Sequence, residues 1–122
     1  MARPQWEVAN EMAIKVGIIG AGGMVQYHAQ GFKAAGAELV AIADVNRTAA
    51  EQVAEEYGIN TVYDDVATML ATDIDAVSVI VPNKFHAPLT IQALEAGKHV
   101  FCEKPPALNA AEVEQMISAS QA

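Results

Sequence analysis

The run Val16-Gly17-Ile18-Ile19-Gly20-Ala21-Gly22-Gly23-Met24-Val25 has the residue types to bind an anion with backbone alone. It reads as a buried strand, a tight glycine turn and the start of a helix. Gly20 permits the sharp turn. Gly22 removes the side chain where backbone would approach a pyrophosphate. Gly23 and Met24 begin a helix whose free N–H groups and positive dipole end face that anion. The third glycine of a G-x-G-x-x-G pattern is replaced by Val25, which fits a helix set slightly farther from the sheet. A glycine-rich strand end also serves simply as a turn, so both readings stand on this run alone.

Asp44 lies 24 positions after Gly20, at the end of the next apolar run. An acid about 20 residues beyond the glycines is placed to bind the adenosine ribose hydroxyls. Its charge repels a 2′-phosphate, which favours NAD over NADP. The competing reading is an exposed acid opening a turn before Asn46. Arg47 is either an adenine or phosphate contact or a solvated helix residue. Farther on, Pro82-Asn83-Lys84-Phe85-His86 follows a fourth strand at the sheet edge where ligands bind in open α/β folds. Pro82 fixes the loop there, and Asn83 has the groups to bond a ribose or a carboxamide. His86 is either a ligand contact or a first-turn helix residue with a structural bond. Glu103-Lys104-Pro105-Pro106 follows a fifth strand at the same edge. There a lysine can hold a substrate hydroxyl or stabilise a developing alkoxide, with Glu103 orienting it. The alternative is a surface salt bridge. His28 and His99 are singletons, each read as a satisfied structural histidine, and no metal-ligand spacing is present.

The elements that must position these groups alternate. Apolar runs at Ile14–Ile19, Leu39–Ala43, Ala76–Val81 and His99–Cys102, with a weaker one over Ile59–Tyr63, predict five strands. Near-continuous apolar runs belong to strands buried on both faces of a parallel sheet. Gly36, Gly58 and Gly97 each precede a strand and suit the end of a helix. Helical faces are formed by Val25, Ala29, Phe32 and Gly36, by Ala50, Val53, Ala54 and Tyr57, and by Leu89, Ala93 and Ala96. Asn46 and Asp65 are placed to cap helices. A last helix starts near Asn109 with Glu112 as its capping-box partner and an apolar face of Ala110, Val113, Met116 and Ile117. The pattern is α/β: a doubly wound parallel sheet of the Rossmann type, with five of the six strands in the order 3-2-1-4-5-6.

The 122 residues suit one domain, and 52% of them are apolar, which excludes disorder. A net charge of −8 disfavours nucleic acid and anionic membrane as partners. The single cysteine, Cys102, excludes an internal disulfide and fits a reducing, cytoplasmic compartment. No apolar run reaches membrane-spanning length. Residues 1–12 lack the apolar core of a secretory signal and read as a mobile leader, with Trp6 its one docking candidate.

These motifs occur in order with fitting spacing. With them come Ala93-Leu94-Glu95-Ala96-Gly97-Lys98-His99-Val100 and Cys102-Glu103-Lys104-Pro105. Together, residues 14 to about 120 closely resemble the amino-terminal domain of the Gfo/Idh/MocA oxidoreductases. That family includes glucose–fructose oxidoreductase and inositol 2-dehydrogenase. The glycine loop is generic, whereas the Ala-Gly-Lys-His-Val…Glu-Lys-Pro block is specific. The resemblance implies a nicotinamide cofactor, with NAD expected before NADP, and a small sugar-like or cyclitol substrate oxidised or reduced at a hydroxyl carbon. By matching position, it implies that Gly20, Gly22, Gly23, Met24 and Val25 hold pyrophosphate. Asp44 and Arg47 then contact the adenosine end, and Pro82, Asn83 and His86 line the nicotinamide side. Glu103, Lys104 and Pro105 form the lysine motif, with Lys104 touching substrate and cofactor across a cis Lys104–Pro105 bond.

The catalytic candidates within the chain are therefore Lys104 and His86. The family's aspartate-and-histidine catalytic motif lies in a second α/β domain and has no counterpart here. The expected organisation is a leader over 1–12 and a dinucleotide-binding domain over 13–122 that stops before strand six. The second domain is absent, so the chain alone is expected to be inactive. A non-catalytic dinucleotide sensor or interaction module is the alternative. A bare strand edge around Val100 and Phe101 predicts self-association into a homo-oligomer.

Overall fold

Alternation of side chains along β1 (Lys15–Ile19) sets the layers of the fold. Val16 and Ile18 point to one face of the sheet and Ile19 to the other. The structure, a computed structural model, describes residues 13–102, 117 and 119–121. The expected leader with Trp6, the Glu103-Lys104-Pro105 motif with its cis bond, and the capping box at Asn109 and Glu112 lie outside the described residues.

In chain order, β1 is followed by α1 (Val25–Ala34), β2 (Glu38–Ala43), α2 (Arg47–Tyr57), β3 (Thr61–Tyr63) and α3 (Val66–Leu70). Then come β4 (Ala76–Val79), a 3-10 turn (Asn83–Phe85), α4 (His86–Glu95) and β5 (His99–Cys102). The strands form one five-stranded sheet in the order β3-β2-β1-β4-β5. Every neighbouring pair is parallel. This is the expected doubly wound sheet.

The first face carries Val25 and Ala29 of α1 with Ala50, Val53, Ala54 and Tyr57 of α2, packed on Ile18 and Ile42. The second carries Met69 and Leu70 of α3 and Ala93 of α4, packed on Ile19, Val77 and Val79. Ile18 and Ile42 are fully buried, and each contributes roughly 1.5–3 kcal/mol by leaving water.

The helix ends follow their sequence signals. Asn46 Oδ1 accepts the Ala49 N–H at 3.1 Å, and Asp65 Oδ1 accepts that of Thr68 at 2.8 Å. The latter bond, more than any other influence, holds the Asp65 carboxyl below the usual aspartate range. Gly36, Gly58 and Gly97 all take positive φ.

Three boundaries differ from expectation by two residues. The first helix begins at Val25, because Gly23 and Met24 still belong to the turn. Strand β3 starts at Thr61, since the Ile59 N–H closes the end of α2 on Ala54 O. Strand β4 ends at Val79: Ile80 still bonds Ile19 O, but Gly20 has turned its own N–H toward Ala43. In the last segment, Ile117 is helical but exposed, although it was expected on an apolar face.

The registers align Tyr63, Ala43, Ile19, Val79 and Cys102 in one row at the carboxyl ends of the strands. Asp64, Asp44, Gly20 and Ile80 come immediately beyond it. The chain leaves β1 toward one side and β4 toward the other, so the switch point of the topology lies between those two strands.

Candidate functional site

Gly20 sits at that switch point with φ +103°. A Cβ here would stand 2.0 Å from Ile80 O and 2.9 Å from Val81 Cγ1. Its N–H donates to Ala43 O at 2.8 Å. The fold itself therefore demands glycine at position 20.

Gly22 and Gly23 differ from it. Among the described residues, a Cβ at Gly22 would meet only Ile80 O, at an ordinary 3.7 Å, and one at Gly23 would meet nothing within 4 Å. Neither carries positive φ. Nothing among the described residues excludes a side chain at either place. The bare backbone leaves room for a ligand to approach, as a pyrophosphate requires.

Beyond it, α1 begins without help. Its N-cap, Met24, makes no side-chain hydrogen bond, and the first turn holds no acid. Such an end offers N–H groups and a partial positive charge to an anion. Val25, in place of the third glycine, is buried in the first core, and its N–H donates to Gly22 O at 3.1 Å. Its side chain thus anchors the helix against the sheet. These residues fit a dinucleotide's pyrophosphate.

Asp44 is half-buried directly beyond β2. Its Oδ2 accepts the Ala21 N–H at 2.7 Å and its Oδ1 the Asn46 N–H at 2.8 Å. The acid therefore opens a turn, as one reading expected, and also touches the glycine loop. Arg47 is exposed and engaged by two acids: Nη1 lies 2.6 Å from Asp64 Oδ1, and Nε lies 2.9 Å from Glu51 Oε1. The Asp64 bond is the main cause that raises the guanidinium above its ordinary pKa. The Asp64 partnership was missed in the sequence. Its signal is the alignment of Tyr63 with Ala43, which brings the ends of β2 and β3 level.

On the other side of Gly20, Pro82 O accepts the Phe85 N–H at 2.9 Å and closes the 3-10 turn. Asn83 opens that turn, and only its backbone is described. His86 is 1% exposed, and its Nε2 lies 2.7 Å from Val81 O. A carbonyl only accepts, so Nε2 carries the proton. The imidazole ties α4 to the loop that leaves β4.

Away from this edge, His28 is a satisfied structural histidine as expected, although its partner and the bonds of Lys98 were missed. Ser78 Oγ lies 2.8 Å from His28 Nδ1, joining β4 to α1. Lys98 Nζ donates to Ile74 O at 2.8 Å and to Thr72 O at 3.1 Å, closing the turn before β4. Beside His28, a groove of about 840 Å³ is lined by apolar groups that include Ile14, Tyr27, Phe32 and Phe101. Among the described residues, no cluster of three or more His, Cys, Asp or Glu is placed to hold a metal ion. Nor is any described helix long and apolar enough to cross a membrane.

Residues 14–122 match the oxidoreductase family with an NAD-binding Rossmann fold. The D-glucoside 3-dehydrogenase of Escherichia coli is 42% identical over 111 residues, covering 88% of this chain and 32% of that protein. The inositol 2-dehydrogenase/D-chiro-inositol 3-dehydrogenase of Shouchella clausii is 40% identical over 115 residues, covering 91% of this chain and 33% of its own. Among solved structures, a levoglucosan dehydrogenase in complex with NADH and L-sorbose superposes with a TM-score of 0.83 at 32% identity. It covers 88% of this chain and 31% of its own. The chain thus spans about a third of the length of the relatives it matches. These likenesses give the alternative of a non-catalytic sensor no support.

Proposed function

Because this chain belongs to the Gfo/Idh/MocA oxidoreductase family, as an NAD-binding Rossmann domain, we propose that the whole protein is a dehydrogenase of sugars, cyclitols or related compounds. It would interconvert a hydroxyl and a carbonyl group. The observation that carries the cofactor site is the bare backbone at Gly22 and Gly23. Among the described residues glycine is not needed there for packing, and the adjoining helix start has no side-chain cap. When bound, NAD supplies the hydride acceptor at its nicotinamide ring.

The chain's own residues bind and orient. The backbone over Gly20, Gly22, Gly23, Met24 and Val25 cradles the pyrophosphate, and Asp44 accepts from the adenosine ribose hydroxyls. Pro82 and Asn83 shape the nicotinamide side. His86 supports that loop from beneath, since its Nε2 is committed to Val81 O. Lys104, flanked by Glu103 and Pro105 in the sequence, is assigned to the substrate oxygen, where its cation stabilises developing charge.

NAD is favoured over NADP on two grounds. Asp44 repels a 2′-phosphate, and Arg47, the one arginine among the described residues, is held by Asp64 and Glu51. The outer edge of β5 has no strand partner among the described residues, which supports a homo-oligomer. The lone cysteine supports a reducing, cytoplasmic setting.

Titration calorimetry of the full chain with both cofactors tests the preference. Tighter binding of NAD is expected. Tighter NADP would overturn it and implicate Arg47. A dehydrogenase assay of the whole protein on polyols and sugars tests the substrate class. In that assay, Lys104→Ala should lower kcat more than it weakens cofactor binding. An unchanged kcat would remove Lys104 from the reaction.

A further inference from the structure

We propose that Asp44 is a positioning residue for the pyrophosphate in addition to a ribose contact, because its carboxylate sets the conformation of the glycine turn. This rests on the reading of that turn as the pyrophosphate cradle.

Two successive N–H groups leave the turn toward β2. That of Gly20 reaches Ala43 O at 2.8 Å, and that of Ala21 reaches Asp44 Oδ2 at 2.7 Å. The other carboxylate oxygen takes the Asn46 N–H at 2.8 Å, which fixes the side chain's rotation. Past Ala21, among the described residues, the Val25 N–H on Gly22 O is the one backbone bond that holds the turn. Neither Gly22 nor Gly23 has a side chain to pack, and among the described residues their N–H groups have no backbone acceptor. The carboxylate therefore commits the Ala21 N–H to β2 and leaves the next N–H groups to the anion. Binding to a turn already in place avoids the cost of ordering it.

The side-chain chemistry is restrictive. A carboxylate accepts on both oxygens, whereas an amide presents one acceptor and one donor. Asparagine at position 44 would set its NH₂ against one of the two backbone N–H groups. The same atoms thus serve both ends of the adenosine diphosphate: two lone pairs hold the protein, and the others face the ribose.

The effect on an anion has a diagnostic sign. A carboxylate beside a pyrophosphate repels it, so deleting the charge alone would strengthen binding. Deleting the clasp weakens it. The test titrates the full-length wild type, Asp44→Asn and Asp44→Ala with ADP and with 2′,3′-dideoxy-ADP, which lacks the ribose hydroxyls. Amide hydrogen exchange at Ala21 is followed in parallel.

Asp44→Ala should weaken dideoxy-ADP by about tenfold or more, the scale of a lost charge-assisted hydrogen bond. Asp44→Asn should fall between it and wild type, and Ala21 exchange should accelerate in the same order. If the alanine variant does not fold, the asparagine variant carries the test. Unchanged or tighter dideoxy-ADP binding by a folded variant, with ADP binding reduced, would overturn the proposal. Asp44 would then serve the ribose alone, and the cradle would stand. A wild type that binds neither nucleotide would overturn the cradle and this inference with it.

Discussion

The two edges of the sheet are built from similar residues and end differently. At the amino edge, the protein satisfies its own groups. Asp75 Oδ2 accepts the Lys15 N–H at 2.9 Å, and the Asp75 N–H returns to Lys15 O at 2.8 Å. The His99 N–H goes to Asp75 O, and Lys98 reaches two carbonyls of the preceding turn. At the carboxyl edge, Asp44 also takes two N–H groups, yet the loop beyond it stays bare and the helix start uncapped. Acids, lysines and glycines occur at both edges. What separates scaffold from site is whether the protein itself explains them. Gly20 shows the division inside a single motif: packing requires it, and among the described residues packing is indifferent to Gly22.

Substitutions sharpen this contrast. The largest effect is expected from Gly20→Ala, whose Cβ would overlap Ile80 O. Thermal unfolding should show a loss of ~3 kcal/mol or more. A near-neutral result would mean that the turn is not fixed by the sheet. Gly22→Val should leave stability within about 1 kcal/mol. Its affinity for NAD should nevertheless fall at least about tenfold in calorimetry. If it unfolds the protein instead, Gly22 belongs to the scaffold. Lys98→Met keeps the aliphatic stem but takes the donor from Ile74 O and leaves Thr72 O with the Ile74 N–H alone. It should cost about 1 kcal/mol of stability with NAD affinity unchanged. A cofactor defect there would erase the distinction between the edges.

The smallest effect is a pH dependence. Burial opposes ionisation at Asp65, but its bonds to Thr68 prevail and lower the folded pKa. The contribution is therefore present above the unfolded carboxylate range and lost as pH falls through the lower folded value. Asp65→Asn should flatten the acid limb of the stability curve below about pH 4. An unaltered limb would show the cap to be inert.

Local chemistry was legible in the sequence. Apolar runs marked the strands, Asn46 and Asp65 marked two helix starts, and the spacing from Gly20 to Asp44 pointed to one edge. These signals act over a few residues or follow from strand–helix alternation. What escaped depends on register between distant segments. The slip in pairing between Val16 and Gly17 leaves Val40 without a partner opposite β1, and no residue type announces it. The Arg47–Asp64 pair exists because β2 and β3 end level. The burial of His86 depends on how α4 meets the loop after β4, so its sequence left two roles open. Asp44 was legible from spacing as a residue of the carboxyl edge. Its hold on Ala21 was not, because that bond needs the three-dimensional turn.

The most direct test of the contrast between the edges is amide chemical-shift mapping of the full chain during titration with NAD. Saturable shifts are expected at Ala21, Gly22, Gly23, Met24, Asp44 and Asn83, with Lys15, Asp75, Lys98 and His99 unmoved. Shifts centred on the amino edge, or on the groove between Tyr27 and Phe101, would contradict the assignment of the carboxyl edge as the cofactor site.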